Sequence, residues 1–194
     1  YHIANAYLLD LMRRVRCFGI NLARLDIRQE ADRHTKLLNE LFRKKYNIKY
    51  NSLSEKEKIK LLNKLIKEKN YFVDRIKITN KENKEVWNTF KQISKTPHEC
   101  LGAYVISMTS TASDILSVYF LQIQAKIKNF LRVVPLFETL DDLKNANSVM
   151  KNLFKLSWYR KMTSAKQEVM IGYSDSSKDA GKLSASWHQY KLQE

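Results

Sequence analysis

Apolar residues Leu8, Leu11, Met12 and Val15 recur at the helical period and predict a first helix from about Asn5 to Arg16, ended by Gly19. Four stretches depart from that period: INLARLDI (20–27), AYVISM (103–108), RVVPLF (132–137) and EVMIGY (168–173). They are mostly apolar and rich in β-branched and aromatic residues, as expected of parallel strands covered on both faces. Each precedes a helical pattern: EADRHTKLLNELF (30–42), ASDILSVYFLQIQ (112–124), LDDLKNANSVMKNLF (140–154) and KDAGKLSASWHQYKLQE (178–194). Strand followed by helix, four times over, predicts a helix-rich α/β fold with a parallel sheet. Between the first and second units lies a long helical insertion, residues 44–97. Within it Ile59, Leu62, Leu65 and Ile66 mark one apolar face, and Ser54 with Glu57 has the spacing of a capping box.

The 194 residues, 44% of them hydrophobic, suit a single unit with a real core, and two prolines and four glycines leave little linker material. The chain opens at Tyr1 and stops at Glu194 inside an amphipathic pattern, so it is expected to be a piece of something longer. No apolar run approaches the ~18 residues of a membrane span, and the start does not resemble a signal peptide, so the expectation is a soluble cytoplasmic protein. A net charge of +15 would suit nucleic acid, a membrane surface or a small anionic substrate. Much of the excess lies between Arg43 and Lys91, where lysine alternates with glutamate; that reads as a solvated face, since a phosphate-binding stripe would not carry so many acids. Cys17 and Cys100 have no ligand spacing and read as buried apolar residues. His2, His34, His98 and His188 are likewise scattered and support no zinc site.

Candidate chemistry gathers where strands pass into helices. Thr111 to Asp114, Thr139 to Asp142 and Ser176 to Asp179 all have the form S/T-x-x-D, a hydroxyl cap with an acid three positions on. Immediately before the last two caps stand Glu138 and Asp175, at the expected C-terminal ends of consecutive strands. Neighbouring strands lie ~4.8 Å apart, so the two carboxylates can share one Mg²⁺ or Mn²⁺, with water and substrate phosphate completing the sphere. Alternatively both acids merely favour helix dipoles. Lys178 is placed at the start of the last helix, where the dipole disfavours a cation and a bound anion would account for it. Arg28, ending the first strand, could grip phosphate or carboxylate oxygens in a bidentate manner, or pair locally with Asp26, Glu30 or Asp32. Active sites of α/β barrels lie at the C-terminal ends of strands, and these four side chains would suit chemistry on a phosphorylated small molecule.

At these same residues the chain resembles the phosphoenolpyruvate carboxylase family, through FGINLARLDIRQEADRHT (18–35), LGAYVISMTSTASDILSV (101–118), VVPLFETLDDLKNA (133–146) and QEVMIGYSDSSKDAGKLSASW (167–187). The resemblance implies part of a (β/α)8 TIM-type barrel: residues 1–194 form one fragment of the catalytic domain, about a fifth of the enzyme, and 44–97 a variable insertion. It implies an allosteric, homotetrameric, cytoplasmic enzyme, a carboxylase of the lyase class, that joins bicarbonate to phosphoenolpyruvate. The products are oxaloacetate, which replenishes the tricarboxylic acid cycle, and phosphate. In the family's mechanism bicarbonate attacks phosphorus, giving carboxyphosphate and the pyruvate enolate, which then adds to CO₂. By motif, Glu138 and Asp175 match the ligands of Mg²⁺ or Mn²⁺, Arg28 a phosphate ligand and Lys178 the catalytic lysine. Leu136 and Met170 match positions lining an apolar pocket around the substrate's methylene group, although spacing alone is equally satisfied by core packing. The expected partners are phosphoenolpyruvate, bicarbonate and the remainder of the parent chain, with no nucleic acid and no membrane. The family's catalytic histidine, its glycine-rich loop and its feedback-inhibitor region fall outside these residues, so the isolated segment is expected to be inactive. Two other readings stand beside this one: a non-catalytic scaffold fragment whose junction acids are only caps, and a basic helical nucleic-acid-binding module using Tyr46, Tyr50 and Tyr71.

Overall fold

The computed structural model describes residues 4–19 and 23–194. His2 and residues 20–22 of the predicted first strand lie outside the described part. A π-helical turn, Ala4–Leu8, leads into α1 (Leu9–Phe18), which ends at Gly19 with φ at +62°, where a Cβ would be strained. No residue of α1 is buried, and Leu11, Met12, Val15 and Phe18 face solvent.

Four βα units follow. They comprise β1 (Leu25–Glu30) and α2 (Ala31–Tyr46), β2 (Leu101–Ser107) and α5 (Ala112–Gln124), β3 (Val133–Phe137) and α6 (Leu140–Phe154), and β4 (Met170–Ile171) with α8 (Tyr173–Ala180). Helices α3 (Glu55–Glu68) and α4 (Lys81–Lys95) occupy residues 44–97; α7 (Ser157–Met162) precedes β4, and α9 (Lys182–Gln193) closes the chain. All strands are parallel in one sheet whose spatial order, β1-β2-β3-β4, is the chain order. That order, each strand beside its predecessor, is consistent with part of a β/α barrel.

The two faces of the sheet differ. Tyr104, Ile106, Val133 and Phe137 point into the main core, against Leu37, Leu38, Leu41 and Phe42 of α2 and Phe90 of α4. Helix α5 is apolar nearly all round and every one of its residues is buried, between the sheet and α3. Its two glutamines are satisfied by backbone: Gln122 accepts from the Leu131 amide at 2.8 Å and Gln124 from that of Phe72 at 2.9 Å. Glu55 on α3 accepts from both the amide (2.9 Å) and the hydroxyl (2.7 Å) of Ser113, tying residues 44–97 to the first turn of α5. On the other face Ala103, Val105, Val134 and Leu136 form a separate small cluster.

Several expectations are corrected here. The strands are not uniformly covered on both faces: β1 is an edge strand with Leu25 67% exposed, and β4 is only two residues long. Cys17 is exposed and Cys100 half-buried, so neither is a core residue; α1, which carries Cys17, packs no face against the core. The capping boxes at Ser54, Thr111 and Thr139 form. The one at Ser176 does not: the last helical run begins at Tyr173 and breaks at Gly181, where φ is +77°. Ser176 is instead buried in mid-helix, its hydroxyl donating to the Gly172 carbonyl at 2.6 Å and accepting from Gln189 at 2.7 Å.

Candidate active site

The register decides which side chains meet. Arg28 is in register with Val105, and Val105 with Val134, so the three share one face; Leu136 follows two residues on, in register with Met170. Glu138 continues the same alternation one residue beyond β3. This is the face opposite the main core, and its C-terminal rim carries the charged groups.

Arg28 and Glu138 meet there, Nη2 to Oε1 at 2.8 Å. Their strands are separated by β2, so the guanidinium spans about 10 Å of sheet, which a long side chain on an edge strand can do. None of the local partners expected from spacing holds it: Asp26 accepts from the Ala103 amide at 2.6 Å, and Asp32 pairs with Lys36 at 2.7 Å. Asp26 reaches that amide through an irregularity in the register between Leu25 and Ile27, and only because Gly102 lacks a side chain; a Cβ there would lie 2.1 Å from Asp26 Oδ1. The Glu138 side chain is only 10% exposed, whereas that of Arg28 is 58% exposed. A carboxylate so withdrawn from water requires a charged partner, and the short charge-assisted bond supplies it. Gly172, just past β4, closes the other side of Glu138: a Cβ on it would lie 3.1 Å from Glu138 Cγ, and its amide donates to the Phe137 carbonyl at 3.0 Å.

Asp175 and Lys178 lie on α8, outside this contact. Their side chains are 58% and 78% exposed and approach each other to 3.9 Å. Among the described residues no hydrogen bond or ion pair joins either to Arg28 or Glu138. Two sequence arguments therefore fall. Glu138 and Asp175 are not at equivalent positions, because Glu138 precedes a helix cap while Asp175 sits inside the first turn of α8. Lys178 is in the last turn of that helix, where the dipole favours a cation, so the helix gives no reason to invoke an anion.

Among the described residues no three His, Cys, Asp or Glu side chains cluster as a metal cage. The donors available at the rim are carboxylate oxygens, the type that holds a hard divalent cation with water and substrate filling the rest of its sphere. Glu138 supplies one such donor at the rim, and Asp175, on α8 outside it, is the other carboxylate expected from the sequence. A cavity of about 370 Å³ lined by Tyr119, Phe130 and Arg132 opens at the other, N-terminal end of β3, away from these groups.

Spacing singled out Ser176 and Asp179 as a helix cap but did not reveal their actual partners, nor the packing of Gly172 against Glu138. Asp179 accepts from the Leu140 amide at 2.9 Å, so an acid read as part of its own helix cap serves the N-terminus of α6 instead. The signal in the sequence was the run of acids, lysine and serines between Gly172 and Gly181.

The phosphoenolpyruvate carboxylase family model matches residues 1–194. Phosphoenolpyruvate carboxylases of Enterobacter sp. (strain 638) and Edwardsiella ictaluri are each 50% identical over 192 residues, and that of Escherichia coli K12 is 48% identical. Each alignment takes in 99% of this chain and 22% of the relative, so the chain spans about a fifth of the length of the curated relatives it matches. The strand-end residues described above fall within that alignment, and the chain belongs to the phosphoenolpyruvate carboxylase family.

Proposed function

We propose that this chain is a segment of the catalytic core of an enzyme that carboxylates phosphoenolpyruvate with bicarbonate, giving oxaloacetate and phosphate. The observation that carries the reading is the Arg28–Glu138 pair, a cation and a withdrawn carboxylate brought together at the strand ends of a chain that is half identical to named carboxylases. In this reading Arg28 binds phosphoryl oxygens, Glu138 and Asp175 hold Mg²⁺ or Mn²⁺, and Lys178 neutralises oxygens that gain charge during transfer. The bound ion supplies Lewis acidity toward the phosphoryl group and the enolate oxygen. Leu136, buried, and Met170, 38% exposed in this segment, lie side by side in register, and with the parent chain closed over them they would exclude water that protonates the enolate to pyruvate. Asp175 and Lys178 are exposed, and the remainder of the parent chain is the natural partner to enclose them.

The same reading makes residues 1–194 one fragment of a barrel catalytic domain and 44–97 an insertion within it. The segment alone does not turn over, and the parent is a cytoplasmic, allosteric homotetramer that feeds the tricarboxylic acid cycle and binds neither nucleic acid nor membrane. No helix among the described residues is long and apolar enough to cross a bilayer. Alanine at Glu138 or Asp175 of the full-length enzyme tests the ligand roles: turnover should fall about 100-fold or more, together with Mn²⁺ affinity. Unchanged turnover and Mn²⁺ binding in both variants would leave the two acids as helix-terminus decoration and sink the reading.

A further inference from the structure

We infer that Arg28 is an exchangeable partner of Glu138: it guards the carboxylate in the free enzyme and turns to the phosphate when a divalent cation takes Glu138, coupling the binding of the two. The inference rests on the reading of Glu138 as a metal ligand and Arg28 as a phosphate ligand.

The asymmetry of the pair decides which member moves. Glu138 is 10% exposed and wedged against Gly172, where even a methyl group would approach Glu138 Cγ to 3.1 Å. The Arg28 side chain is 58% exposed, and its bond to Glu138 at 2.8 Å leaves most of its five N–H donors for a tetrahedral anion. Among the described residues no hydrogen bond or ion pair joins Arg28 to Asp26, Glu30 or Asp32; Asp26 is engaged with the Ala103 amide and Asp32 with Lys36.

The energetics follow from charge and burial. A withdrawn carboxylate is costly to leave unpaired, so it changes partner rather than losing one. In the absence of phosphate a cation must compete with the guanidinium and binds more weakly. With phosphate present the displaced guanidinium has a new partner, and the penalty disappears. By linkage the cation must then strengthen phosphate binding by the same factor.

The test is titration of the full-length enzyme with Mn²⁺ alone, followed by electron paramagnetic resonance, and again with saturating inorganic phosphate. Arg28→Gln should bind Mn²⁺ about tenfold more tightly than wild type without phosphate, the weight of one charge-assisted hydrogen bond, and should gain less from phosphate than wild type does. Arg28→Lys keeps the charge but loses the fork and some of the reach, so it too should bind Mn²⁺ more tightly than wild type. Equal or weaker Mn²⁺ binding in Arg28→Gln overturns the exchange. An Arg28→Lys enzyme indistinguishable from wild type reduces the effect to net charge and also overturns it. Glu138→Gln identifies the other failure: if Mn²⁺ affinity survives there, the ligand reading itself falls, and the exchange with it.

Discussion

Gly172 shows how a single missing side chain can set the position of a charged one. Its φ of −82° is open to any residue, so alanine there would be opposed by packing alone, with Glu138 Cα 3.2 Å and Cγ 3.1 Å from the new methyl. Gly172→Ala should displace Glu138, breaking the 2.8 Å pair with Arg28, and lower turnover of the full-length enzyme about 100-fold with its circular dichroism unchanged. A steady-state assay beside a spectrum checks both halves. His34 makes a different residue-scale prediction. It is buried behind the sheet, its Nε2 bonded to Tyr104 Oη at 2.8 Å while Nδ1 has no hydrogen-bond partner among the described residues. Burial first, and the Arg33 charge second, lower its pKa from 6.5 to about 3. The unfolded chain therefore takes up a proton before the folded one does, and stability falls as pH drops from about 6.5 toward 3. The slope is about 1.4 kcal/mol per pH unit for one such group. His34→Gln should flatten that slope, read by hydrogen exchange of the β2 amides across the same pH range.

At the scale of elements, the helices of residues 44–97 are joined to the βα framework by carboxylates. Glu55 bridges α3 to α5, and Glu40 on α2 clamps the start of α4 and the turn before it. Glu40 accepts from Lys44 Nζ at 2.6 Å, the Thr79 amide at 2.7 Å, the Thr79 hydroxyl at 2.9 Å and Asn83 Nδ2 at 2.7 Å. Burial pushes its pKa up, but the bonds from Asn83, Lys44 and Thr79 together outweigh that and hold it at about 2. A carboxylate depressed in the folded state contributes stability above its ordinary value of 4.5, and that contribution is lost as pH falls toward 2. Glu40→Gln should weaken the clamp by about 1–2 kcal/mol at neutral pH, allowing for partial solvent exposure, and remove its acid sensitivity. Exchange protection of the Thr79 amide reports on it directly. The same scale shows which caps were legible. Thr139 and Asp142 exchange bonds of 3.1 Å within four residues, a closed local motif that spacing reveals. Ser176 carries the same pattern, but its hydroxyl is taken by Gly172 and by Gln189 thirteen residues away, and the helix starts earlier.

Over the whole molecule, the sheet has two unlike faces: one buried under α2, α4, α5 and α6, the other carrying a four-residue apolar cluster and the charged rim. Part of the positive charge is interspersed with acids along the helices, as in Lys36–Asp32, Lys44–Glu40 and Lys64–Glu68. Exposed pairs such as the first and last add little stability but divide the positive surface. Among the described residues β1 leaves one edge of the sheet unpaired, in a chain that spans 22% of its relatives' length.

By itself the sequence determined what depends on neighbours within a turn or two: four strand-then-helix units, the caps at Ser54, Thr111 and Thr139, the helix stop at Gly19, and the residues from which a site could be built. Only the tertiary structure decided which of those residues touch. Arg28 and Glu138 are 110 positions apart, and nothing local distinguishes that pairing from one with Asp26 or Asp32. Parallel register and strand order put them on one face, an irregularity at Asp26 removed a competitor, and the helix begun at Tyr173 held Asp175 and Lys178 apart from them. The physical reason is range: backbone hydrogen bonds and caps close over a few residues, whereas the partner of a charged side chain is whatever the packed sheet brings within about 3 Å.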